Sequence, residues 1–270
     1  MFIIVLGEVL MDENVPIGFS TKCFSHTGSS LEQKVKICKS SGSNALEIDF
    51  TTDSLSLLDT PKRELKEMIN SFDYLSLYAP TNRTYGDNPR ANDILKRLKA
   101  ITELVNVGAV CFHPTCIDDF DWLESFNLPV LLGNMDDKER RRIFRWASNF
   151  NEIFKTYPNL RLALNIQHAY DVDRNMIPAY QFLEQFRDRI RQVHFSGRTV
   201  SRPHWPMNCS DNGERIRQFI YEANLEIPHI AQGYFLEDAI GRTKDELTFI
   251  NTRPRKKKEG KVSIEHPSIY

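Results

Sequence analysis

This 270-residue chain has no glycine-rich phosphate loop, no disulfide framework, no apolar run of membrane length and no excess of either charge sign. Each absence closes a class. Without a Gly-x-Gly-x-x-Gly turn after the first strand-like run, a doubly wound dinucleotide-binding sheet loses its usual signature. The cysteines Cys23, Cys38, Cys111, Cys116 and Cys209 are odd in number and irregular in spacing. That pattern argues against a disulfide scaffold or a zinc ribbon and points to a reducing, cytoplasmic setting. A formal net charge of −1 gives no electrostatic case for nucleic acid as a partner. Met1-Phe2-Ile3-Ile4-Val5-Leu6 is apolar but too short to span a bilayer, and Glu8 and Asp12 follow it closely. It predicts neither an anchor nor a signal peptide, so no membrane partner is expected.

What is present is alternation. Strand-like runs fall at 17–24, 45–50, 74–79, 109–113, 130–134, 162–167, 192–196 and 227–235. Helix-like stretches fall at 31–40, 61–71, 91–107, 137–156, 178–188, 211–223 and 236–248. Eight strands alternating with helices predict the α/β class and a single closed (β/α)₈ TIM barrel. Residues 15–250 form that barrel in this reading. Residues 1–14 read as an N-terminal extension, with Met11 an alternative start. Residues 251–270, opening on the basic run Arg253-Pro254-Arg255-Lys256-Lys257-Lys258, read as a flexible, solvated tail.

Strand parity then sorts side chains. Leu46, Ile48 and Phe50 share one face, which suits the layer between sheet and helices, so Glu47 and Asp49 face the lumen. By the same logic Ser76 and Tyr78, Asn165 and Gln167, and His194 point inward, while Val193 and Phe195 point outward. Cys111 shares the inward parity of His113 and reads as a buried, inert thiol. Polar residues thus gather near strand C-termini, the end where barrels of this kind keep their sites.

Seven motifs lie in register with those strand ends. They are Leu77-Tyr78-Ala79-Pro80, Phe112-His113-Pro114, Gly133-Asn134-Met135-Asp136, Asn165-Ile166-Gln167-His168-Ala169-Tyr170, His194-Phe195-Ser196-Gly197, His204-Trp205-Pro206 and Ile227-Pro228 with Gln232. Spread over roughly residues 16–240, they resemble the xylose isomerase-like TIM-barrel superfamily of sugar isomerases, sugar epimerases and apurinic-site endonucleases. The resemblance implies a divalent-metal site, and position by position that site is degenerate here. The strand-three histidine is Tyr78. The strand-four, strand-six and strand-seven histidines persist as His113, His168 and His194. The strand-five glutamate is Gly133, with its neighbour Asn134 kept. The strand-six aspartate is Asn165, and the strand-eight glutamate is Gln232. Of the endonuclease branch's later Asp-Arg-His, Arg202-Pro203-His204 retains the histidine.

Hard divalent cations need anionic oxygen ligands to offset dehydration, and all the acidic positions are lost. The epimerase acid/base pair that the resemblance implies would be Gly133 and Gln232, neither of which can move a proton. Two routes around the loss remain. His113, His168, His194 and His204 could hold a single zinc, since zinc accepts imidazoles; otherwise they are polar wall residues, and no metal cofactor is expected. Lys22, Glu47 and Asp49, with His113 and His194, are the candidate groups for metal-free acid/base work; otherwise the three charged residues form an ion-pair network.

The expected ligand pocket is Tyr78, His113, Asn134, Asn165, Gln167, His168, His194, Arg202, His204 and Gln232. Trp205 and Tyr85 are aromatics that could stack on a ligand face or cover the mouth. The leading expectation is a barrel without the usual metal site that binds a small polar molecule, sugar- or phosphate-like, or a partner at its C-terminal mouth. The alternatives are a metal-dependent sugar isomerase or epimerase with a histidine-rich site, and an apurinic endonuclease-like phosphodiesterase.

Overall fold

A computed structural model describes residues 15–58, 61–138, 143–236 and 239–254. The expectations for the extension 1–14 and for tail residues 255–270 lie outside these. The strands are β1 (Ile17–Ser20), β2 (Ala45–Asp49), β3 (Tyr74–Tyr78), β4 (Ala109–Phe112), β5 (Val130–Gly133), β6 (Arg161–Asn165), β7 (Ile190–Phe195), β8 (Gly197–Arg198), β9 (Pro203–Trp205) and β10 (His229–Ala231). Eight of them close a parallel barrel in the order β1-β10-β7-β6-β5-β4-β3-β2, while β8 and β9 form a small antiparallel hairpin above β7. The helices are α1 (Leu31–Ser40), α2 (Arg63–Ile69), α3 (Pro89–Leu104), α4 (Phe120–Glu124), α5 (Asn151–Thr156), α6 (Ile166–Val172), α7 (Ile177–Phe186), α8 (Gly213–Ala223) and α9 (Ala239–Asn251). Among the described residues no helix is long and apolar enough to cross a membrane.

The parity argument holds for β2 and β7. Leu46, Ile48, Leu164, Val193 and Phe195 belong to the large apolar layer between sheet and helices. Each such buried side chain stabilises the fold by about 1.5–3 kcal/mol. Inside the barrel the apolar cluster is small: Ala109, Cys111, Leu131 and Ala163, edged by Tyr74 and Tyr78. Its residues are short because polar side chains fill the rest of the lumen. Register sets these level with one another, Glu47 beside Ser20 and Ser76, and His194 beside Asn165 and Ile230. Where β1 meets β2 the backbones come so close that a Cβ on Gly18 would lie 1.7 Å from the Ala45 carbonyl oxygen. Only glycine fits there.

Four element boundaries need correction. The first strand stops at Ser20, and Thr21–Phe24 is a 3₁₀ turn. There the Thr21 hydroxyl accepts from the Asp49 amide and donates to Asp53, so side-chain bonds replace the ladder. The sixth strand stops at Asn165, whose side chain accepts from the His168 amide and caps α6. Gln167 is therefore a helical residue, not an inward strand position. The helix expected over 137–156 shrinks to a 3₁₀ turn at Ala147–Phe150 followed by α5, with residues 139–142 outside the described set. Phe144 has a left-handed φ of 59°, and its carbonyl accepts from the Met135 amide, which folds this segment back as a loop. The last strand keeps only His229–Ala231 of 227–235, because beyond it the Tyr234 amide turns to the His204 carbonyl.

Candidate functional site

Parity brings Glu47, Gln192 and His194 to the centre of the lumen. Glu47 is fully buried. Its Oε2 lies 2.7 Å from His194 Nε2 and accepts from Gln192 Nε2 at 2.9 Å, and its Oε1 accepts from Gln232 Nε2 at 3.1 Å. Burial alone would raise the Glu47 pKa, but the His194 charge and the bonds from His194, Gln232 and Gln192 outweigh it and hold it at about 2. Gln192 Oε1 in turn accepts from the Tyr74 hydroxyl at 2.8 Å.

The lattice continues upward. Gln232 Oε1 accepts from Asn165 Nδ2 at 3.0 Å. Asn134 clamps the Asn165 backbone from both sides, its Oδ1 accepting from the amide at 2.6 Å and its Nδ2 donating to the carbonyl at 2.9 Å. The Asn134 carbonyl, 2.7 Å from His168 Nδ1, fixes that ring. Burial lowers the His168 pKa; the bond to the Asn134 carbonyl and the Asp136 charge oppose it, and Lys22 adds a smaller lowering.

Above the lattice lies a cavity of about 210 Å³. Lys22, Tyr78, His113, His168, His204 and Gln232 line it, with Thr51, Thr81, Met135 and Asp136 completing the wall. His113 Nδ1 is 2.6 Å from the Thr115 hydroxyl, and His204 Nδ1 is 3.1 Å from that of Ser196. The His168 and His204 rings meet edge to face, 5.4 Å between centroids. Burial drives the His204 pKa well down, helped by His168 and Lys22. Lys22 is half-buried. Burial would lower its pKa, but Asp49, Tyr234 and Glu47 together raise it. Asp49 accepts through Oδ1 from the Thr51 amide at 2.7 Å and from the Thr51 hydroxyl, while its buried Oδ2 has no hydrogen-bond partner. Burial raises its pKa to about 6, opposed by Lys22 and reinforced by Glu47.

No protein-family model and no curated protein matches the chain. Among solved structures it is similar to a D-tagatose 3-epimerase-like protein, with 17% identity and a TM-score of 0.63 over 87% of this chain and 98% of that one. It is also similar to D-allulose 3-epimerase from Methylomonas sp. in complex with D-allulose, with 12% identity and a TM-score of 0.60 over 89% and 98% of the two chains. A third is the probable 3-DHS dehydratase AsbF of petrobactin synthesis from Bacillus anthracis, with 15% identity and a TM-score of 0.60 over 87% and 98%. The chain has the xylose isomerase-like TIM-barrel fold.

Within this xylose isomerase-like barrel the implied metal can be tested against the residues present. Asn165 donates to Gln232 and Gln232 donates to Glu47, so the Gln232 oxygen serves the lattice and the Asn165 oxygen serves the α6 cap. Gly133 has no ligand atom, and the Tyr78 hydroxyl lies 3.8 Å from where its Cβ would stand. A hard divalent ion finds no anionic oxygen at any of the three positions. Zinc fares no better. Among the described residues, the groups of three or more candidate ligand atoms lying within 4.8 Å of one another are Glu47 with Cys111 and His194, and Asp136 with Asp137 and Asp171. His113, His168, His194 and His204 do not converge as a set. In the first group Glu47 and His194 are 2.7 Å apart, a hydrogen bond, whereas ligands around a tetrahedral zinc at about 2.0–2.3 Å stand more than about 3.2 Å apart. In the second, Asp171 is already paired with Arg198 at 2.8 Å.

Of the expected pocket residues, Tyr78, His113, His168, His204 and Gln232 line the cavity together, and Lys22 joins them from the 3₁₀ turn that follows β1. His194, Asn134 and Asn165 are buried within the lattice. Gln167 turns away, donating to Asp171 and accepting from Asn212. Arg202, expected in the pocket, is exposed and lies over the Trp205 ring at 5.2 Å, and neither residue lines the cavity. Tyr85 is buried against Phe112, its hydroxyl donating to the Pro80 carbonyl, and faces no ligand. Sequence reasoning missed Gln192, although it shares parity with His194. It also missed Thr51, Thr81 and Tyr234, which lie in loops beyond strand ends and carry no periodic signal.

Proposed function

We propose that this protein binds a small, neutral, polyhydroxylated molecule, sugar-like in size and hydrogen-bonding pattern, in the mouth of the barrel and without a divalent metal ion. The observation that carries the reading is the split between lattice and wall. Amides and carboxylate spend their hydrogen bonds on one another below, and the cavity above offers hydroxyls, imidazoles and one ammonium. Many short, directional donors and acceptors around a small volume suit a ligand rich in hydroxyl groups. A phosphate dianion fits less well, because Lys22 is the cation of the wall and Asp136, Asp49 and Glu47 offset it. The similar barrel from Methylomonas sp. holds D-allulose, which supports a ligand of that class here.

Titration calorimetry on protein dialysed against chelator tests this, with D-allulose and D-tagatose as probes. Saturable 1:1 heat is expected for at least one of them. Replacing His113→Ala removes one wall partner and should weaken binding about tenfold, the equivalent of a single hydrogen bond. Absence of heat with both sugars, or heat that requires added Mn²⁺, would contradict the reading.

A further inference from the structure

We propose that the mouth is a metal-free proton-transfer site, in which His168 takes the proton from a carbon beside a carbonyl group and the Lys22 ammonium holds the oxyanion that results. The proposal rests on the sugar-like reading of the cavity and adds a reaction to it. Three histidines line the wall, and their hydrogen bonds set them apart. His113 and His204 place Nδ1 against hydroxyl groups, which can donate or accept, so neither tautomer is fixed. His168 places Nδ1 against the Asn134 carbonyl, which can only accept. The proton of the neutral ring therefore sits on Nδ1, and Nε2 carries the lone pair.

Among the described residues His168 Nε2 has no hydrogen-bond partner, and the ring borders the cavity. It is an oriented base with its acceptor end free. Its orientation is secured twice: Asn165 caps the helix that carries it, and Asn134 holds both Asn165 and the ring. Lys22 supplies the complementary charge. Its ammonium has three N–H groups, stands 5.9 Å from the centroid of the Tyr234 ring, and borders the same cavity. A fixed cation beside the carbonyl oxygen favours the charge that develops there.

The step balances without a co-reactant. The C–H bond breaks, and its proton forms an N–H bond at His168 Nε2. The electron pair enters the carbon–carbon bond as the carbonyl pair moves onto oxygen, beside Lys22. The imidazolium then returns a proton to the same carbon. Between these steps the N–H proton exchanges with solvent, so the reaction is visible without knowing the product.

The test incubates chelator-treated protein with D-allulose, D-tagatose or dihydroxyacetone in D₂O and follows deuterium entry beside the carbonyl by NMR, with calorimetric binding measured in parallel. Exchange above the buffer rate is expected with at least one probe. His168→Asn keeps an amide donor for the Asn134 carbonyl and removes the base, so exchange at saturating probe should fall at least about 100-fold, well beyond the roughly tenfold loss of binding expected for one wall partner. Lys22→Met should likewise lower exchange by about 100-fold or more. Binding without exchange in the unmodified protein overturns this inference and leaves the binding reading standing. No binding by any probe overturns both. Exchange that survives in both variants, or that appears only on adding Mn²⁺, also overturns it.

Discussion

At the residue scale the chemistry turns on Glu47, a buried carboxylate surrounded by neutral amides and one imidazole. His194 is its hydrogen-bonding partner at 2.7 Å, and an ion-pair partner when the ring is protonated. Removing His194 leaves the buried Glu47 carboxylate without its closest partner, so His194→Ala is expected to cost about 3–5 kcal/mol in urea unfolding. Glu47→Gln removes the charge itself and should cost clearly less; equal costs would show that the pair is not electrostatic.

Asp49 is the opposite case. Its pKa rises from 3.8 to about 6 on folding, so the folded state binds the extra proton. The stability this contributes is full below the unfolded value and is lost as pH rises through about 6. A shift of that size is worth about 3 kcal/mol. Glu47 has the reverse sign: its contribution is present above its ordinary 4.5 and disappears as pH falls towards about 2. Raising the pH from 4.5 to 7.5 should therefore lower the urea midpoint of the unmodified protein relative to that of Asp49→Asn. An unchanged difference would mean Asp49 is ionised throughout.

At the scale of elements, α6 decides where His168 stands, and Asn165 decides where α6 starts. The site's logic was partly legible at this scale. Parity placed Glu47, Asp49 and His194 inside from the alternation of 45–50 and 192–196 alone, because a strand with apolar outward residues leaves no choice of face. Gln167 was misplaced because Leu162, Leu164 and Ile166 continue a period of two past the strand end, and only Asn165 signals the cap. Asn165→Asp separates the two roles of that residue. Aspartate caps equally well, so α6 should persist by circular dichroism. The bond to Gln232 is lost, and a second carboxylate enters a lattice already holding Glu47. The expected cost is about 1–3 kcal/mol, measured by urea unfolding at neutral pH. A variant as stable as the parent would show that the Asn165–Gln232–Glu47 chain is not a stabilising unit.

At the scale of the whole molecule the barrel was legible because eight apolar runs at regular spacing leave few other architectures. The positions along it where acids were missing also pointed at the mouth. The replacement for those acids was not legible. That Gln232 bonds both to Asn165 and to Glu47, 67 and 185 residues away in sequence, depends on barrel closure bringing the ends of β2, β6 and β10 level. Tyr78 opposite Gly133 shows the same logic, a large residue on one strand beside an empty position two strands away. The lattice also implies that reversal is expensive. Gln232→Glu alone would set two carboxylates against each other and should destabilise the protein. Gly133→Glu, Asn165→Asp and Gln232→Glu together should create divalent-metal affinity, because the added charges then need a cation.

The claim that joins these scales is that a hydrogen-bonded amide–carboxylate lattice, not a divalent ion, organises the mouth. Calorimetric titration of Mn²⁺ into the unmodified, chelator-treated protein tests it most directly. The account expects no 1:1 binding isotherm. Tight, stoichiometric Mn²⁺ binding to the unmodified chain would contradict it.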